Sequence, residues 1–181
     1  ALVSGKPAGR YGNGHPNIVP YRAFACRDQS IAVAVGNDMQ FAAFSRAVGK
    51  PEWSEDPRFT KNADRVRNRA EIDGLVEARL AAEDADHVLG LLQKAGIPSS
   101  RINTVTQALA DPQTRATGMV RSVEHPLAGA VQMLGIPFNL GETPATVRLA
   151  PPTLGQHTDE VLAACGIAAD EIASLRAARV I

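Results

Sequence analysis

The chain has 181 residues, of which 45% are hydrophobic, so it can bury a core as one domain or as two small ones. Its 19 basic and 19 acidic residues balance, which gives no net attraction to nucleic acid or to an anionic membrane surface. No apolar run approaches the roughly 18 residues of a membrane-spanning helix and no signal-peptide pattern opens the sequence, so we expect a cytoplasmic protein without nucleic-acid or membrane partners.

The first segment, residues 1–19, has no hydrophobic periodicity and predicts an irregular entry. It contains the stretch YGNGHP, in which Gly12 and Gly14 remove the Cβ atoms on either side of Asn13. The backbone there can approach a ligand closely or adopt a positive φ, and Asn13 and His15 offer donors and acceptors. On local physics alone, a ligand-contacting loop and a loop that only covers the sheet remain equal alternatives.

A hairpin and a helix are predicted next. Residues 21–35 alternate and turn at Asp28, which is typical of two short antiparallel strands. A helix then begins near Asn37 and Asp38, whose side chains favour a cap, and ends at Gly49. Its apolar face consists of Phe41, Phe44 and Val48.

The region between the Pro-punctuated loop KPEWSEDPRF and Pro112 predicts helices around a short extended piece. Apolar residues at helical spacing form a stripe along one face of each helix: Ile72, Leu75, Val76 and Leu80 in one helix, and Val88, Leu89 and Leu92 in the next. Arg65, Arg67 and Arg69 alternate with acidic residues, which indicates a solvated helix face. Thr104 is expected to cap a brief helix that Asp111–Pro112 breaks or restarts.

A second hairpin over residues 118–140 is expected to complete the sheet, followed by a Pro, Thr and Gly-rich tether and two short terminal helices. The apolar stripes of those helices are expected to pack on another domain or subunit. The predicted fold class is α/β: an α+β small domain with a short, mostly antiparallel sheet and helices, plus a C-terminal helical tail. The predicted divisions are 1–19 (linker and active-site loop), 20–140 (small domain) and 141–181 (tether and helices).

No residue pattern supplies a catalytic centre or a metal site. The four histidines are scattered without ligand spacing, and no phosphate-binding loop is present. Cys26 and Cys165 are expected to be buried free thiols. Asp28, Asp38 and Asp111 have structural explanations as a hairpin turn, a helix cap and a residue preceding proline. We therefore assign no catalytic residue and no metal ligand.

Six stretches in order resemble one family: GNGHPNIVPYRAF, IAVAVGNDMQFAAFSRAVGKPEWSEDPRF, NRAEI, LQKAGIPSSRINTVTQALADPQ, LGIPFNL and PPTLGQHTDEVL. Their order and spacing resemble the C-terminal half of the class III CoA-transferases, a group that also contains α-methylacyl-CoA racemases. The resemblance covers nearly the whole chain. It implies a fragment of a two-domain fold in which two chains interlock as a homodimer when full length.

The resemblance implies an acyl-CoA transferase that moves CoA between carboxylic acids through an enzyme-bound aspartyl intermediate. The nucleophilic aspartate of that family lies in its N-terminal half, so the chain alone is expected to be inactive. Coenzyme A and acyl-CoA would be substrates, with no tightly bound cofactor. Two alternatives stay open: an α-methylacyl-CoA racemase or another acyl-CoA-processing member of the same fold, and a non-catalytic binding or assembly module derived from the family.

By the same resemblance, the loop in the YGNGHP stretch would line or close the acyl pocket. Tyr21 and Phe24, which follow the loop, would continue the wall of that pocket. The loop residues are Gly12, Asn13, Gly14, His15 and Pro16. This loop has fewer glycines than the glycine run of the formyl-CoA:oxalate enzymes, which argues against oxalate specificity.

Overall fold

A computed structural model describes residues 2, 5, 7 and 9–181; the remaining positions of the predicted entry segment lie outside the described residues. The chain folds as two units, Ala1–Asn103 and Thr104–Ile181. The architecture is mixed α/β with short antiparallel sheets and helices, which confirms the predicted fold class. The divisions predicted near residues 19 and 140 stay a prediction.

In its described residues, the first unit contains a three-stranded antiparallel sheet in the order β1-β2-β3, with four helices and one 3₁₀ turn. The predicted hairpin is confirmed, with Phe24 opposite Ile31 and Tyr21 opposite Ala34. The elements are β1 Tyr21–Ala25, β2 Ser30–Ala34, α1 Asp38–Ala47, the 3₁₀ turn Pro51–Ser54, α2 Asn62–Arg67, α3 Arg69–Leu80, α4 Ala85–Lys94 and β3 Ser99–Arg101.

The core of this unit lies on one face of the sheet. Because side chains alternate along a strand, Phe24, Ile31 and Val33 share that face, and all three are buried. The predicted stripes of α1, α3 and α4 supply the other side: Phe41, Phe44, Val48, Ile72, Val76, Leu80, Val88 and Leu92. Leu75 is the exception; it is 38% exposed, so its predicted place in the stripe is wrong.

The helix boundaries follow side-chain caps. Asn37 caps α1 by accepting from Gln40 N at 2.9 Å, whereas Asp38, one residue inside the helix, does not cap it. Asp28 does more than turn the hairpin: its Oδ1 accepts from Ala85 N at 2.7 Å and so caps α4 from 57 residues away. This hydrogen bond is the main cause that lowers the pKa of Asp28.

Arg65 is fully buried, so the prediction that it lies on a solvated helix face is wrong. Its guanidinium donates to Val19 O and Phe59 O, each at 2.7 Å, and to Asp38 Oδ1 at 3.0 Å. It also stacks over the Phe41 ring at 4.3 Å from the centroid. Arg65 therefore joins α2 to α1 and to the segment that precedes β1.

The second unit has a separate two-stranded sheet, β4-β5, and four short helices. The expectation that this hairpin completes the first sheet is wrong, because β3 pairs with the free edge of β2 instead. Thr104 caps its helix in a capping box, and Asp111 caps the helix that follows by accepting a hydrogen bond from Gln113 N. The elements are α5 Val105–Ala110, α6 Pro112–Ala116, β4 Val120–His125, β5 Gly129–Leu134, α7 Thr158–Ala164 and α8 Ala169–Ala177.

Little apolar surface is buried in the second unit. Among its large apolar side chains, Ile172 is the one that is buried, at 7% exposure, while Val161 is 55% exposed. Cys165 is also exposed, so the expectation of two buried thiols holds for Cys26 only. In the part of the chain that the structure describes, no helix has the length and hydrophobicity to cross a membrane.

Candidate functional site

The glycine-containing loop, residues 11–17, folds back onto β1. Gly14 N donates to Tyr11 O at 2.9 Å and closes the turn, in which Gly12 has a φ of 60°. His15 N donates to Tyr21 O at 2.9 Å, and Asn13 Oδ1 accepts from Ala23 N at 3.2 Å. One backbone and one side-chain hydrogen bond thus attach the loop to the strand that follows it.

The His15 ring stacks on Tyr21, with the ring centroids 5.2 Å apart and the planes inclined by 22°. His15 Nδ1 accepts a hydrogen bond from Asn17 N at 3.1 Å. In the neutral imidazole this hydrogen bond leaves the proton on Nε2, which is then the donor that the ring can offer to another group. The structure therefore brings together three of the predicted residues, Asn13, His15 and Tyr21.

An open groove of about 410 Å³ crosses the face of the sheet opposite the core. Asn13 and Tyr21 lie along it, and the small side chains of Ala23, Ala32 and Ala34 contribute to its lining. Small residues at alternate strand positions leave room above the sheet that larger side chains would fill. The groove is thus adjacent to the loop and largely apolar, which suits an aliphatic chain.

Phe24, predicted to continue the wall beside Tyr21, does not reach this groove. It is 1% exposed and packs in the core, because alternation places it on the opposite face of β1. The alanine lining of the groove was not predicted from the sequence. The alternating alanines in YRAFA and SIAVA were the available signal for it.

Helix α3 approaches the loop from the other side. Arg69 Nη2 donates to Pro16 O at 2.8 Å, and its guanidinium carbon lies 5.1 Å from the centroid of the Tyr11 ring. A pocket of about 400 Å³ separates the loop from the helix and is lined by residues 10–14 together with Arg22, Arg69 and Asp73. Arg69 was predicted on a solvated face, but it spans this gap to the loop.

Arg22, which lines this pocket, connects β1 to α3. Its Nη2 donates to Glu77 Oε2 at 2.8 Å, and its Nη1 lies 3.7 Å from Asp73 Oδ2. Asp73 is only 7% exposed, and its Oδ1 has no hydrogen-bond partner among the described residues. Burial raises the pKa of the Asp73 carboxyl, and the positive charges of Arg22 and Arg69 oppose that rise.

Replacing Asp73 with asparagine is expected to make the free energy of unfolding fall less steeply as pH rises across the acidic range. Because the pKa of Asp73 is raised above its ordinary value of 3.8, the folded chain binds this proton more tightly than the unfolded chain. The resulting stability is fully present below the unfolded pKa and is lost as pH rises through the folded pKa. Urea unfolding of both proteins across the acidic range measures the difference.

The Asp28→Asn variant is the opposite-sign control for that experiment. The pKa of Asp28 is lowered by its hydrogen bond from Ala85 N, so its contribution is present above the unfolded pKa and is lost as pH falls. Equal pH slopes for the wild type and Asp73→Asn would contradict the prediction.

The other candidate side chains have structural partners or are exposed. His125 Nδ1 accepts from Leu127 N and Ala128 N in the β4-β5 turn, and His87 is exposed on α4. His157 precedes α7 without capping it and instead contacts Glu160 at 3.3 Å. Burial raises the pKa of the Cys26 thiol, which disfavours the nucleophilic thiolate.

No metal centre is formed by the residues that the structure describes: they contain no group of three or more His, Cys, Asp or Glu side chains able to hold an ion. The candidate site is therefore the loop with its two flanking spaces, the alanine-lined groove on one side and the arginine-lined pocket on the other.

Comparison with known proteins gives a consistent result. The profile of CoA-transferase family III matches residues 1–158. An acyl-CoA transferase of Fusarium pseudograminearum is 36% identical over 97% of the chain, which spans 39% of that protein. A human succinyl-CoA:glutarate CoA-transferase is 34% identical over 89% of the chain, which spans 37% of that protein.

Solved structures agree with the sequence comparison. A CaiB/BaiF family protein from Brucella suis superimposes with a TM-score of 0.74 and is 36% identical, covering 90% of the chain. Rv3272 of Mycobacterium tuberculosis superimposes with a TM-score of 0.69 at 26% identity. The chain spans about 40% of the length of these two proteins.

Proposed function

The chain belongs to CoA-transferase family III, and on that premise we propose that the full-length protein transfers CoA between carboxylic acids. The relatives support this proposal, since the names of several describe CoA transfer to an acid: glutarate, D-citramalate or oxalate. CoA enters as part of the acyl-CoA substrate, and a carboxylic acid is the acceptor.

The proposed reaction passes through an aspartyl group of the full-length enzyme. The carboxylate attacks the thioester carbonyl, which forms a mixed anhydride and releases CoA as the thiolate. The thiolate then attacks the aspartyl carbonyl, which frees the donor acid and leaves an aspartyl-CoA thioester. The acceptor carboxylate reverses these steps and leaves as its own CoA thioester. Every bond that breaks is replaced by one of the same type, so the exchange needs no oxidant or reductant.

The residues of this chain would seat the acyl group and exclude water. The observation that carries this proposal is the apolar groove bordered by Asn13 and Tyr21, which an acyl chain fits, with the loop of residues 11–17 at its edge. Water must be kept out because it would hydrolyse the anhydride, so a loop that covers the reacting acyl group protects the intermediate. Gly12, His15 and Pro16 would complete the cover.

The exposed apolar side chains of the second unit support a proposed contact with the rest of the full-length protein or with a second subunit. They include Leu127, Leu154 and Val161, which are 81%, 106% and 55% exposed. Exposed apolar side chains at this density are typical of surfaces that other protein covers. We propose an interlocked homodimer for the full-length protein.

The function is tested by incubating the full-length protein with succinyl-CoA and a panel of acids that includes glutarate and oxalate. We expect new acyl-CoA to form with a dicarboxylic acceptor, and oxalate to be a poor one. Hydroxylamine should cleave the aspartyl-CoA thioester and leave a mass shift on one aspartate. A parallel incubation with a 2-methylacyl-CoA of one configuration tests racemisation, which would show as inversion with deuterium exchange at the carbon next to the thioester. No turnover of either substrate would favour a binding module.

Replacing His15 with alanine in the full-length enzyme is expected to lower kcat/KM for CoA transfer about ten-fold, because the ring that stacks on Tyr21 and the acceptor for Asn17 N are both lost. Steady-state kinetics with varied acyl-CoA at saturating acceptor acid measures this. His87→Ala is the matched control, since His87 is exposed on α4. An unchanged kcat and KM for the acyl substrate in His15→Ala would remove the loop from the acyl pocket.

A further inference from the structure

The contacts of α3 with the glycine-containing loop lead to a further role. Resting on the proposed function, we propose that Arg69 is a positioning residue. It touches no substrate, and it holds residues 11–16 of the glycine-containing loop in the shape that closes the acyl groove against water.

Arg69 contacts the loop at two points and passes close to a third residue. Its Nη2 donates to Pro16 O at 2.8 Å, and its guanidinium lies over the Tyr11 ring at 5.1 Å. Its Nη1 lies 3.7 Å from where a Cβ at Gly14 would stand. The two contacts, at Tyr11 and Pro16, lie on either side of Asn13, the loop residue that lines the groove.

Close packing does not hold the loop on this side. A pocket of about 400 Å³ lies between the loop and α3, where a packed interface would have interdigitated side chains. Arg69 spans this gap. Two described side chains from outside positions 11–23 hydrogen-bond to the loop: that of Arg69, to Pro16 O, and that of Asn62, whose Nδ2 donates to Asn17 O at 2.8 Å. For residues 11–16, Arg69 is the described side chain that does so.

The loop is held by strand β1 and helix α3, and these two elements are fixed to each other. Asn13 and His15 of the loop hydrogen-bond to β1, as described above. On the helix side, Arg22 reaches from β1 to Glu77 at 2.8 Å and fixes α3 relative to the strand. Arg69 therefore projects from a helix with a fixed position, and losing it would free one side of the loop while the other stays attached.

The consequence concerns the fate of the intermediate. Without Arg69, residues 11–16 would be held by β1 alone, while Asn17 stays bonded to Asn62. They would then move away from the acyl group more often, and water would compete with the acceptor carboxylate. The quantity that reports this is the partition between hydrolysis, which yields free acid and CoA, and transfer, which yields a new acyl-CoA. General destabilisation of the fold lowers both rates and leaves their ratio unchanged.

The test compares Arg69→Ala and Arg69→Lys with Arg67→Ala in the full-length enzyme. Arg67 is a matched control because it is an exposed arginine two residues earlier that pairs with Asp64. We expect the ratio of hydrolysis to transfer to rise about ten-fold in Arg69→Ala. Arg69→Lys should recover part of the loss, since an ammonium can donate to Pro16 O but cannot stack on Tyr11 as a planar guanidinium does.

An unchanged ratio in Arg69→Ala at wild-type thermal stability would overturn the proposal, as would an equal rise in Arg67→Ala. If Arg69→Ala does not fold, Arg69→Lys alone decides by the same ratio. Amide hydrogen exchange of residues 11–17 is independent of turnover: Arg69→Ala should exchange faster there, and an unchanged rate would also overturn the proposal. If the wild type transfers CoA to no acid, the proposed function fails by itself, and the exchange rates still decide whether Arg69 holds the loop.

Discussion

Arg65→Met is expected to lower the free energy of unfolding by about 3 kcal/mol, a large share of the roughly 5–15 kcal/mol that stabilises a typical domain. The variant keeps an unbranched apolar stem but removes every donor of the guanidinium. Val19 and Phe59 are both fully buried, so their carbonyl oxygens would lose a partner at 2.7 Å without gaining water. Each orphaned buried acceptor costs about 1–3 kcal/mol.

The Asp38 carboxylate adds less to this loss. Its side chain is 40% exposed, so solvent can replace part of its interaction with Arg65. Burial lowers the pKa of Arg65, with Asp38 as the leading opposing influence, and the guanidinium stays charged because arginine does not deprotonate in proteins. The loss is therefore expected to come mainly from the unsatisfied carbonyl groups.

Arg67→Met is the control for this measurement. Arg67 lies two residues after Arg65 on the same short helix, α2, but its side chain is 70% exposed. Urea denaturation followed by circular dichroism should show a change within about 0.5 kcal/mol for Arg67→Met. Equal stability losses for the two variants would show that Arg65 is not the buried hub that its contacts indicate.

Gly14→Val is expected to lower kcat/KM of the full-length enzyme for CoA transfer about a hundred-fold, because a small displacement of a positioning loop can cost that much. A Cβ at this position would lie 3.1 Å from Tyr11 O, and the branched methyl groups of valine add to that crowding. The neighbour is a backbone oxygen in the loop turn, so it cannot rotate away. The turn must therefore shift by a few tenths of an ångström, which strains the hydrogen bond from Gly14 N to Tyr11 O.

Gly90→Ala is the matched glycine control. It lies within α4, and a Cβ there would meet no atom within 4 Å. It should leave the kinetics unchanged and stabilise the helix by up to about 1 kcal/mol. Wild-type kinetics for Gly14→Val would show that the loop does not shape the acyl groove, whatever its resemblance to the family implies.

The secondary structure of the first unit was largely predictable because its signals are local. The hairpin follows from alternation over residues 21–35, and α1 follows from Asn37, its apolar face and Gly49. Periodicity failed where a neighbouring element decided burial. Leu75 fits the apolar stripe of α3 but is exposed, and Arg65 fits a charged face but is enclosed by three other segments.

The candidate site was predictable only in part. The glycines beside Asn13 indicated a loop of special geometry, and the resemblance gave that loop a role. Sequence spacing could not indicate that Arg69 bonds to Pro16, 53 positions earlier, or that Asp28 caps α4. Those contacts depend on how strands and helices pack.

The sequence by itself determined most of the helices, the two hairpins, the glycine-containing loop and the family, because each depends on residue types at short, ordered spacings. The tertiary structure alone decided which charged residues are buried, which face of β1 is open and which helix holds the loop. The physical reason is that burial and hydrogen bonding are properties of pairs of distant segments. A guanidinium such as that of Arg65 can satisfy its donors in water or on buried carbonyl groups, and only the packed chain selects between them.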